Sequence, residues 1–178
     1  FGLDLLWPVF LLLGLERVSI LPDETAFGPL VFDSFPWSHS LLMAFLWGVV
    51  AAGIARWRGC SGAIALLLGA LVLSHWVLDY VTHTPDLPVW PGSSLRVGLG
   101  LWQSVPATLV VEGLLYFVGI AMYLKATRSR DRVGIFGFWA LIILCAGMWA
   151  SGPVMAPPPS PRALAWFTLG LWLFIGWA

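Results

Sequence analysis

Charge is what this sequence has least of. Only 10% of its 178 residues are charged, and nine Lys and Arg balance nine Asp and Glu. A soluble domain carries about 25% charged residues, so a solvated surface of ordinary size is excluded. Zero net charge removes the electrostatic footprint that nucleic-acid binding requires. Cysteine is nearly absent. Cys60 and Cys145 cannot build a disulfide framework or a CxxC metal site, and both are expected as buried or interfacial thiols. No GxSxG, HExxH, P-loop or dinucleotide fingerprint occurs. The apolar runs are too long for strands and lack period-two alternation. No signal peptide is visible. The chain begins at Phe1 rather than Met and stops inside an apolar run, so both ends read as truncated.

What fills the sequence instead is apolar. Hydrophobic residues make up 60%, and mean hydropathy is +0.89. About 20 helical residues cross a hydrocarbon core of about 30 Å. Six apolar segments are expected as helices: about 3–15, 38–57, 62–81, 105–124, 133–149 and 162–178. The second follows Pro36, with Ser38 as a candidate cap, and the third stops before Thr84-Pro85. The expected fold is a single all-α domain over 1–178, a polytopic transmembrane bundle. Arg56, Arg58, Lys125, Arg128, Arg130 and Arg132 fall on one side, and Arg17, Arg96 and Arg162 on the other. That bias places the first set in the cytoplasm, and loops 16–37 and 83–103 outside. Those loops are partly apolar and rich in Pro and Gly, suited to lying on the membrane or covering a cavity. Twelve tryptophans, among them Trp37, Trp57, Trp90, Trp102 and Trp149 near helix ends, suit an interfacial belt.

The groups able to do chemistry are few and sit toward the outer side. His39 opens the second segment, and His75, Asp79 and His83 recur at intervals of four in the third. At 100° and 1.5 Å per residue, His75 and Asp79 are offset by about 40° and 6 Å. His83 joins the same face if the helix persists that far. A charge within a span costs at least about 2.5–3.5 kcal/mol, so Asp79 needs a partner, a wet cavity or a proton. Imidazole and carboxylate together also suit Zn²⁺. The competing explanation is a buried His–Asp pair that pins neighbouring helices. Asp4 in the first segment and Glu112 in the fourth tilt the balance toward a functional polar cavity. His75 and Glu112 fall at similar depth, near 12 Å from the outer boundary, and Asp4 near 16 Å. Asp23, Glu24 and Asp33 are expected as solvated loop acids. Glu16 and Arg17 are expected as an interfacial boundary pair. Asp86 either enters the cleft or caps a turn.

Pro36-Trp37-Ser38-His39-Ser40, Ser74-His75-Trp76-Val77-Leu78-Asp79 and His83-Thr84-Pro85-Asp86 resemble the YdjM-like family, as does Asp4 in its Leu-Asp-Leu context. The resemblance covers about residues 1–103. These are small bacterial inner-membrane proteins described as metal-dependent hydrolases. It implies a His/Asp metal site, with His39, His75 and Asp79 as ligands and Asp4 next. With His83 added from its spacing on the same helix face, the expected metal set is His39, His75, Asp79 and His83. Glu112 and Asp4 are the candidate general bases or further ligands. The expected function is a Zn-dependent hydrolase of the bacterial inner membrane, acting on a lipid or lipid-linked ester from the periplasmic side. The alternative is a non-catalytic subunit of a larger membrane complex, photosynthetic or respiratory, whose His/Asp cluster is structural. A proton pathway ranks third, because the inner halves of the helices are almost wholly apolar.

Overall fold

A computed structural model describes residues 2–21, 26–170 and 172–173; Asp23 and Glu24 lie outside them. The first apolar segment becomes a turn over residues 2–6 followed by a short helix, α1 (Trp7–Leu12). Pro8 sits in the first turn of α1, where a missing N–H costs nothing. Gly14, at φ 72°, turns the chain out of it. The loop that follows is not irregular. It forms an antiparallel ribbon of β1 (Arg17–Ile20) and β2 (Leu30–Ser34), pairing Ser19 with Val31 and Ile20 with Leu30. Val18, Ile20, Val31 and Phe32 are the β-branched and aromatic residues that favour such a half-buried pleated surface.

The second segment is two helices, not one. α2 (Pro36–His39) ends at Ser40, whose backbone is extended. The Ser40 side chain accepts from Met43 N and caps α3 (Leu41–Trp57). The cap is thus Ser40, not Ser38. α4 (Gly62–Thr82), capped by Ser61, follows. The segment after it pairs β3 (Leu87–Pro88) with β4 (Arg96–Val97). α5 (Val105–Ala126) and α6 (Arg132–Ala150) are capped by Ser104 and Asp131. α7 (Pro161–Leu169) is capped by Ser160. Residues 171 and 174–178 of the sixth expected segment lie outside the described residues.

The mostly helical, membrane-type architecture agrees with the sequence, but six full spans do not. Among the described residues, three helices, α4, α5 and α6, are long and apolar enough to cross a membrane, and α3 is a shorter apolar helix of 17 residues. At 1.5 Å per residue, the six residues of α1 cover only about 9 Å.

α3 and α4 form the tightest pair. A Cβ at Gly48 would lie 2.8 Å from Gly69 O, and one at Gly69 would lie 2.8 Å from Gly48 O. Small residues here let the two backbones touch, as in membrane helix packing. Two apolar clusters hold together the end of the molecule that carries the two strand pairs. One gathers Trp7, Val18, Phe35, Leu87 and Leu164, and the other Leu3, Ala44 and Trp76. Tyr80 and Val97 pack against both. α6 buries none of its residues, and its apolar surface faces outward.

Candidate metal centre

Three separate elements deliver the polar groups. Asp4 lies on the turn before α1, where Leu6 N and Trp7 N both donate to Leu3 O. The Leu3 side chain beneath is fully buried. His39 is the last residue of α2, and the break at Ser40 lets its ring face α4. His75 and Asp79 come from successive turns of α4, as their spacing predicts. The close α3–α4 contact brings the two histidine-bearing elements together, with ring centroids 5.5 Å apart.

The Nε2 atoms of His39 and His75 each lie 3.5 Å from Asp4 Oδ1. Asp79 Oδ2 lies 3.4 Å from His75 Nε2 and 3.9 Å from His39 Nε2. Asp4, His39 and His75 each offer one ligand atom, all within 4.8 Å of one another, and together could hold a metal ion. Tetrahedral coordination at 2.0–2.1 Å requires ligand atoms about 3.3–3.4 Å apart, close to these separations. The donor set, two imidazoles and carboxylate, is the chemistry a borderline divalent ion selects. Asp79 Oδ2 is buried and accepts no hydrogen bond among the described residues. An atom of that kind within a span calls for a cation or a proton beside it.

Behind His39 runs a hydrogen-bonded chain that the sequence does not announce. Glu16, expected at the interface, is 1% exposed. Its Oε1 accepts from Trp37 N at 2.8 Å and Ser38 N at 2.7 Å, satisfying two orphan donors at the start of α2. Its Oε2 accepts from Ser38 Oγ at 2.7 Å, and that oxygen lies 2.6 Å from His39 Nδ1. Burial pushes the Glu16 carboxyl above its ordinary range, while the Ser38 hydroxyl and the two amides pull the other way. Ser38 is fully buried, which keeps it out of reach of a substrate. Local sequence carries no signal for this chain, because Glu16 and Ser38 stand 22 positions apart.

His83 is placed elsewhere. α4 stops at Thr82, ahead of Thr84-Pro85, where the residue before proline disfavours helix. The His83 backbone is extended, so the condition for its joining the face of His75 and Asp79 is not met. Its Nδ1 lies 3.0 Å from Asp86 Oδ1, and its ring packs on Phe32, Phe35 and Trp102. Asp86 thus joins His83 rather than the group around Asp4. Of the remaining acids, Asp33 is exposed and accepts from Ser19 Oγ at 2.7 Å.

Glu112 stands across a partly open cavity of about 500 Å³ lined by α4, α5, α6 and the Leu101–Trp102 turn. His75 and Asp79 line one wall, and Glu112, Tyr116, Cys145 and Trp149 line the others. The two Glu112 oxygens accept from the indole N–H groups of Trp102 at 2.9 Å and Trp149 at 2.5 Å. These two tryptophans therefore orient an acid as well as standing near helix ends.

A model of the YdjM inner membrane protein family matches residues 36–155. The match begins after Asp4 and Glu16 and runs through α6, further along the chain than the resemblance around His39 and His75 reached. No curated protein and no solved structure matches the chain. The family model takes in His39, His75, Asp79, Glu112 and more than half of the sequence, and the chain belongs to the YdjM inner membrane protein family.

Proposed function

We propose that this chain is a membrane-embedded, metal-dependent hydrolase acting on a lipid or lipid-linked ester. The observation that carries the reading is the convergence of Asp4, His39 and His75 beside an apolar cavity that His75 and Asp79 also line. Catalytic sites keep three protein ligands and an open position. Asp4, His39 and His75 supply the three, and Zn²⁺ is the ion their chemistry favours. When bound, such an ion supplies Lewis acidity and makes water nucleophilic near neutral pH. Asp79 Oδ2 faces both imidazoles and takes the proton from the attacking water. Glu112, fixed by Trp102 and Trp149, orients the substrate from the opposite wall. The cavity walls are mainly Leu, Val, Ala and aromatic side chains, which suits an acyl chain better than a polar group. The cationic bias of the 56–58 and 125–132 segments supports a location of this site on the periplasmic side of a bacterial inner membrane.

The test is metal analysis of protein purified in mild detergent and supplied with excess zinc, together with an assay on lipid esters in mixed micelles. Wild-type protein should retain about one zinc per chain, and His75→Ala and His39→Ala should lose both metal and hydrolysis. A wild-type protein that retains no zinc would overturn the reading. Co-purification with other subunits at fixed stoichiometry, without hydrolysis, would favour the accessory role instead.

A further inference from the structure

We infer that Glu16, acting through Ser38, is the positioning residue that sets the tautomer of His39 and makes its Nε2 a metal ligand. The inference rests on the proposed reading of Asp4, His39 and His75 as ligands, and adds a residue that lies outside the family match.

Proton bookkeeping along the chain carries the argument. A carboxylate only accepts hydrogen bonds. Glu16 Oε1 is engaged by the two backbone N–H groups of Trp37 and Ser38. Its Oε2 therefore receives the single hydroxyl proton of Ser38, 2.7 Å away. With that proton committed, Ser38 Oγ can only accept from His39 Nδ1 at 2.6 Å. Nδ1 thus carries a ring hydrogen, and Nε2 is the atom left facing Asp4 and Asp79, where a cation can take its lone pair. A ligating imidazole commonly depends on such an outer partner for its tautomer and direction. Every member of the chain is buried: Glu16 is 1% exposed, Ser38 0% and His39 6%. Bulk solvent is thereby kept from these groups. Glu16 also holds the start of α2, so one carboxylate fixes both the ring's rotation and the position of its backbone.

Glu16→Gln tests this with almost no change of shape. Its amide oxygen still accepts from Trp37 N and Ser38 N. Its NH₂ group must donate to Ser38 Oγ, which turns the Ser38 hydroxyl toward His39 Nδ1. The ring hydrogen then moves to Nε2, where it blocks a metal. In metal-free, histidine-¹⁵N-labelled protein in detergent, wild type should show His39 protonated at Nδ1, and Glu16→Gln should show it at Nε2. The zinc dissociation constant should rise about 10- to 100-fold in Glu16→Gln. Ser38→Ala leaves the backbone bonds of Glu16 in place, removes the relay and should weaken zinc by a similar factor.

The outcomes separate the two claims. If wild type takes up no zinc, the reading of the site fails. If wild type binds zinc while both variants bind it equally tightly, or Glu16→Gln leaves the His39 tautomer unchanged, the positioning role is overturned and the site stands. A loss of zinc in Glu16→Gln with an unaltered tautomer in the metal-free protein would mark Glu16 as a mere prop for α2, and also overturns the inference.

Discussion

Two residues show how neighbours decide what an ionisable side chain does. Glu16 looks like a boundary residue beside Arg17, yet it is buried against α2. Its carboxyl is raised above the ordinary glutamate range by burial. A raised acid favours folding in its protonated form. Its stabilising contribution is present below the unfolded value of about 4.3 and is lost as pH rises through the folded value. In metal-free protein, thermal stability of wild type relative to Glu16→Gln should therefore fall as pH rises above about 4. Thermal melts at several pH values check the sign; a relative stability that climbs with pH contradicts it. His83 gives the second case. Its ring sits among Phe32, Phe35 and Trp102 and pairs with Asp86. His83→Ala should leave zinc stoichiometry intact and cost stability on the scale of an aromatic core truncation, about 3–5 kcal/mol. Metal analysis paired with a melt reads both effects, and loss of zinc there would return His83 to the ligand set.

At the level of elements, the site depends on a glycine contact well away from it. Gly48 and Gly69 let α3 and α4 approach until a side chain on either would strike the other's carbonyl. α2 leads into α3 and carries His39, while α4 carries His75, so helix separation sets the distance between the imidazoles. Gly69→Val should cost about 1–3 kcal/mol through overpacking and weaken zinc binding, although it touches no ligand. Gly53→Val, where nothing stands within 4 Å of the added carbon, is the matched control on α3. Equal zinc affinity in the two variants would show that the crossing does not govern the site. The break at Ser40 acts on the same geometry: continuous helix from Pro36 onward would rotate His39 off the face it presents to α4.

Across the whole molecule, the cavity between α4, α5 and α6 sits directly against the candidate centre. α5 and α6 are joined by specific side chains. Tyr116 donates to Ile142 O at 2.7 Å, Trp149 reaches Glu112, and Tyr123 stacks on Phe138 with ring centroids 4.9 Å apart. Such cross-links keep a space open that close helix packing would fill. Ala146→Phe, on the α6 wall, should leave zinc bound and reduce turnover of long-chain esters more than of short-chain ones. Comparing hydrolysis rates over a series of chain lengths provides the check. A uniform loss across the series would disconnect the cavity from substrate binding.

The sequence by itself determined the class of this protein. Scarce charge and long apolar runs permit only helices that satisfy their own backbone in lipid, and α4, α5 and α6 lie within a few residues of the segments expected. It also made His39, His75 and Asp79 conspicuous, since ionisable groups are rare in such runs and their spacing on α4 is helical. Local pattern could not separate full spans from short helices: α1, ended by a left-handed glycine, reads as apolar as α4. Nor could it reveal the strands of the 16–37 and 83–103 segments, which exist only through pairing. Tertiary structure alone decided that Asp4 meets the two imidazoles, that His83 turns to Asp86, and that Glu16 stands behind His39. The first and third depend on contacts between groups distant in the chain, and the second on the end of α4 ahead of Thr84-Pro85; the direction of all three is fixed by a glycine crossing, a broken helix and a proline, none of which carries charge or chemistry of its own.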